Sequence, residues 1–121
     1  LMVLDALAKH PGNWLTMLNL HGAAKYFDLA DRYPVHVMNW GDRVPGEPSI
    51  TQAKGMTKRP LMTGLSNNKA PLKDDPADII AEVRDAVAQA AGHPLIVSTG
   101  SAIPARTIKV DTMLAMRRSL D

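Results

Sequence analysis

Four short segments each end on polar or glycine-rich residues of the kind that hold ligands: Asn19-Leu20-His21-Gly22, Asn39-Trp40-Gly41-Asp42-Arg43, Gly64-Leu65-Ser66-Asn67-Asn68 and Ser98-Thr99-Gly100-Ser101 running on to Ile103-Pro104. His21 is the strongest candidate for chemistry, since an imidazole beside glycine can donate, accept or ligate. The alternative is a histidine that only hydrogen-bonds its own loop. Ser101 can donate a hydrogen bond to a carboxylate, and Asn19, Asn67 and Asn68 carry amides that can do the same. The two adjacent asparagines also suit a turn that tolerates positive φ. Trp40 and Asp42 either line a pocket rim or form a helix lead-in held by an Asp42–Arg43 pair. Arg106 either meets an anionic substrate or stays exposed. His10, His36 and His93 read as structural. With no thiolate and one plausible imidazole, no zinc site is expected.

These residues matter only if something brings them together. Apolar runs predict strands over Trp14 to Leu20, Pro34 to Trp40, Pro60 to Leu65 and Pro94 to Thr99. Such runs suit strands of a parallel sheet. Proline opens three of them, where a missing N–H harms the ladder least. Between and after them, helices are predicted over Ala23 to Tyr33, Ser49 to Met56, Pro76 to Ala91 and Val110 to Leu120. Ser49 and Gln52 have capping-box spacing. Asp75 caps the third helix, Pro76 suits its first position and Gly92 its left-handed stop. Its stripe is Ile79, Ile80, Val83, Val87 and Ala90. The last helix presents Val110, Met113, Leu114 and Arg117 on one face. Strands alternating with helices predict a parallel α/β sheet, either a small doubly wound domain or half of an eight-stranded barrel. No glycine-rich phosphate loop follows any strand, which disfavours a nucleotide-binding version of the first.

Composition removes several function classes. The 121 residues are 45% hydrophobic and 21% charged, with a formal net charge of +2. The basic residues are scattered, with adjacent pairs only at Lys58-Arg59 and Arg117-Arg118, so a nucleic-acid partner is not expected. No run is long enough for a membrane span. The absence of cysteine removes disulfides and thiolate metal sites and fits a cytoplasmic protein. The opening Leu1-Met2-Val3-Leu4 reads as the inside of a helix, as in a fragment of a longer chain.

Taken in order, the segments resemble the C-terminal half of the uroporphyrinogen decarboxylase family. Pro34-Val-His-Val-Met-Asn-Trp40 is similar to the family's strand ending in an acidic or amide residue plus tryptophan. Leu61-Met-Thr-Gly-Leu-Ser-Asn67 resembles its Gly-Asn-Leu-Asp-Pro strand end. Thr99-Gly-Ser-Ala-Ile-Pro104, with Thr107 beyond, resembles its Leu-Gly-His-Gly-Ile-Pro ending. Asn19-Leu-His-Gly22 is similar to the His-x-Cys-Gly of the family's corrinoid and thiol methyltransferase branch. The resemblance implies the last four β/α units of a (β/α)8 barrel and cofactor-free decarboxylation of tetrapyrrole acetate arms in porphyrin biosynthesis. It implies catalytic roles for His21 and Ser101 and substrate contacts from Asn19, Trp40, Asp42, Asn67 and Arg106. Ser101 stands where decarboxylases carry histidine and the methyltransferases a cysteine ligand. The family's arginines and central aspartate belong to the first half of the barrel, so the chain alone is expected to be inactive. The implied partners are an anionic small molecule and either a second copy of the chain or an N-terminal barrel half. The other readings are a methyltransferase-like relative and a barrel half that only assembles.

Overall fold

A computed structural model of the chain describes residues 2–12, 14–21, 27–67, 75–103 and 108–120. Helix α1 (Met2–Lys9) precedes the first strand. Then follow β1 (Met17–Asn19), α2 (Phe27–Ala30), β2 (Val37–Asn39), α3 (Ile50–Met56), β3 (Leu61–Leu65), α4 (Pro76–Ala90), β4 (Leu95–Thr99) and α5 (Val110–Arg118). All three strand pairings are parallel, and the spatial order β1-β2-β3-β4 is the order in the chain.

That order has a consequence for the helices. Parallel crossovers share one hand, so strands added always on the same side send every crossover over the same face. The register shows that face. Leu18, Met38, Leu61 and Leu95 form one row across all four strands. Against this row pack Phe27 and Ala30 of α2, Ile50 and Ala53 of α3, and Ala86 and Ala90 of α4. A second cluster joins Leu65 and Val97 to Ile79 and Val83 of α4 and Ala115 and Met116 of α5. The next row, Asn19, Asn39, Met62 and Ile96, points to the opposite face. Met17 (48% exposed) and Ile96 (43%) lie open on that side. Leu18 and Val97 lie on the helix side. The described helices form one layer, as they would in half of a barrel, whereas a doubly wound sheet would be covered on both faces.

Local chemistry explains most boundaries. The capping box forms, with Gln52 N donating to Ser49 Oγ (3.3 Å) and Ser49 N to Gln52 Oε1 (2.9 Å). Asp75 Oδ1 accepts from Ala77 N at 2.8 Å, with Pro76 at the first position of α4. The paired strands are shorter than the apolar runs, and the prolines stand just outside them. Their carbonyls still serve the ladder, Pro60 O accepting from Met38 N and Pro94 O from Leu61 N. Helix α5 departs from its predicted stripe: Val110, Met113 and Leu114 are exposed and Thr112 is buried. Ala115 and Met116 make the contact instead, because α5 docks on α4, where a small residue beside a flexible one fits closely. Among the described residues no helix is long and apolar enough to cross a membrane.

Candidate functional site at the strand ends

Parallel strands deliver everything that follows them to one end of the sheet. There the chain forms a cavity of about 150 Å³ lined by Leu20, His21, Gly41, Val44, Glu47, Asn67, Gly100 and Ser101. Each of the four strand-end loops contributes. His21 and Leu20 come after β1, Gly41 to Glu47 after β2, Asn67 after β3, and Gly100 with Ser101 after β4. The loop after β4 reaches across β3 to the loop after β2. A Cβ on Gly100 would collide with the Trp40 carbonyl and the Gly41 backbone, so this crossing requires glycine. Below it, Asn39 Nδ2 donates to Thr99 O (3.1 Å) and Met62 O (2.5 Å), tying the ends of β2, β3 and β4 together.

Of the residues singled out from sequence, His21, Asn67 and Ser101 line this cavity. Asn67 Oδ1 is buried without a hydrogen-bond partner. Asn19 lies exposed at the end of β1, in the row that points away from the helices. Arg106 lies outside the described residues, as does Asn68.

Trp40 sits elsewhere than at a pocket rim. It is fully buried beneath the helices, edge-on to Phe27 with ring centroids 5.1 Å apart, and its Nε1 donates to Pro48 O at 2.8 Å. The period of two along a strand puts Trp40 on the side of Met38, and a buried indole needs the acceptor that Pro48 supplies. Asp42 is likewise buried, its carboxylate filled by the protein. Oδ1 accepts from Gly64 N (3.0 Å) and lies 2.6 Å from Thr63 Oγ1, while Oδ2 is 3.3 Å from Arg43 Nε. The Asp42–Arg43 ion pair therefore forms, well ahead of α3, which starts at Ile50.

Arg43 fastens this end of the fold. It donates to Gly64 O (3.1 Å) and Glu82 O (3.1 Å), and pairs with Asp85 through a short contact. Burial works to raise the Asp85 carboxyl. Hydrogen bonds from Arg43 and Gln89, with the Arg43 charge, outweigh it and hold Asp85 below the ordinary value. Glu82 in turn accepts from Ser66 N (2.9 Å) and Ser66 Oγ (2.8 Å), fixing the backbone just before Asn67.

Glu47 is the cavity residue that sequence reasoning missed. Burial pushes its carboxyl above the ordinary value, with no opposing cause. Its one sequence signal is position: a lone glutamate inside Pro45-Gly-Glu-Pro48, a turn that follows a predicted strand end. Gly46 takes φ 88° to make that turn, which aims Glu47 back at the strand ends.

Compared with family models, with curated proteins and with solved structures, the chain returns no match.

Proposed function

We propose that the chain is the second half of a (β/α)8 barrel of the uroporphyrinogen decarboxylase type, acting in the cytoplasm on a carboxylate-bearing small molecule. One observation carries this reading: all four loops after a parallel sheet whose order follows the chain line one cavity. Barrels of this kind hold their sites at the C-terminal ends of the strands. A pocket of about 150 Å³ suits one arm of a substrate rather than a macrocycle, leaving the remainder to a facing half.

In the proposed reaction the bond between an acetate carbon and its carboxylate breaks. The electron pair flows into a protonated ring, carbon dioxide leaves, a proton adds to the carbon, and the ring gives up the proton it had taken. His21 and Ser101 donate hydrogen bonds to the carboxylate and hold the arm in place. The protein's work is orientation and electrostatics, and no cofactor enters. The arginines and the aspartate that the resemblance assigns to the first half are needed for turnover, so the chain binds without turning over.

Fluorescence titration with uroporphyrin tests the reading. Saturable binding is expected, weakened about tenfold by His21→Ala, as for a polar group in direct contact with a ligand. A chain that binds no uroporphyrin would contradict the decarboxylase assignment and leave the cavity to another ligand.

A further inference from the structure

A second cavity, of about 120 Å³, lies between β3, β4, α4 and α5. Its walls are Leu65, Ile79, Val97, Ile103 and Met116, so it extends the smaller core cluster. Among the described residues none lines both this cavity and the one at the strand ends, and none that lines this one is charged. A core seldom leaves a void wider than a water molecule, because its walls forfeit their dispersion contacts across the gap.

One polar group in the wall is unaccounted for. Thr112 lines the cavity and is 2% exposed, and its hydroxyl makes no hydrogen bond among the described residues. It stands in the first turn of α5, where the carbonyl four residues back belongs to Ile108, ahead of the helix, and the back-bond of a mid-helix threonine is not made. The oxygen is not sealed off, as Asn67 Oδ1 is, and so opens on the cavity. The other two hydroxyls in the wall are committed as donors, Thr99 Oγ1 to Ser101 O (2.8 Å) and Ser98 Oγ to Thr99 O (3.4 Å). A trapped water needs about two to four polar partners, more than an apolar wall with one free donor offers.

We propose that this cavity binds a neutral, single-ring molecule carrying one hydroxyl, with Thr112 Oγ1 as its hydrogen-bond partner. Apolar cavities on the order of 150 Å³ take up benzene, so the size suits one ring and nothing larger. Met116 in the wall and Met113, 54% exposed at the mouth, are flexible enough to close around it. The ring restores the missing apolar contacts, and its hydroxyl satisfies the threonine. A charged ligand would leave water and meet no counter-charge. That separates this ligand from the carboxylate-bearing substrate of the strand-end cavity, and the proposal does not rest on that reading.

Labelling methionine with ¹³C at its methyl group places one reporter in the cavity wall, Met116, and another in the main core, Met38. The two signals are assigned by Met116→Leu and Met38→Leu. Phenol, toluene and benzoate are titrated separately into the full chain at neutral pH. Phenol should shift the Met116 signal saturably, with a dissociation constant of about a millimolar or below, and leave Met38 in place. Thr112→Val keeps the shape of the side chain and removes the hydroxyl. It should weaken phenol about fivefold and leave toluene as it was. No saturable response to phenol, a Thr112→Val chain that treats phenol and toluene alike, or benzoate binding more tightly than phenol would overturn the proposal.

Discussion

Glu47 and Asp85 are carboxyls displaced in opposite directions by their surroundings. Asp85 has Arg43 and Gln89 to favour its charged form; Glu47 has burial alone. The difference fixes the sign of a measurement. A carboxyl whose folded value is raised binds its proton more tightly in the native state. Its contribution to stability is full below the unfolded value and is lost as pH rises through the folded one. Ionised Glu47 therefore costs stability at neutral pH. We expect Glu47→Gln to raise Tm by about 1–2 °C at pH 7.5, a figure discounted for solvent screening, and to leave it unchanged near pH 4. Thermal unfolding followed by circular dichroism checks this, and a lower Tm for the variant at pH 7.5 would mean that Glu47 is satisfied within the fold. Residues at this scale were unevenly legible. His21, Asn67 and Ser101 stood out because each ends an apolar run. The burial of Trp40 was available from its alternation with Asn39. Glu47 lies well beyond its strand, and only the turn at Gly46 brings it back.

At the scale of elements, legibility followed the range of the forces involved. Helix α4 is set by its own sequence: Asp75 and Pro76 start it, and Ala91 and Gly92, with φ of 48° and 86°, end it. The capping box of α3 is equally local, so it was visible in the spacing of Ser49 and Gln52. Removing it is expected to cost about 1 kcal/mol. Ser49→Ala should show that loss in urea unfolding with an unchanged m-value, since the surface exposed on unfolding stays the same. No loss would mean that Ile50 and Ala53, buried in the core, hold α3 without its cap. Helix α5 is the contrary case. It has no side-chain cap, and its buried face is chosen by α4 rather than by its own apolar residues. Period alone pointed to Met113 and Leu114, because hydrophobic pattern cannot see which neighbour is waiting.

For the whole molecule the informative feature is the sheet face that none of the described helices covers. Leu15 (72% exposed), Met17 and Ile96 stand open there or on the adjoining edge, and β1 and β4 are outer strands with unpaired sides. Unpaired strand edges and open apolar surface both favour association. A second copy related by a twofold axis could set its β1 beside β4 and its β4 beside β1. That would continue the parallel order around a closed ring of eight strands. The uncovered rows would become the interior, and the two strand-end cavities would share one mouth. The parallel α/β order was legible from the alternation of runs, which left half-barrel and doubly wound sheet open; the family resemblance favoured the first. Sedimentation velocity at micromolar concentration tests the half-barrel most directly. A species of about twice the chain's 13.1 kDa is expected, and a compact monomer would contradict the half-barrel.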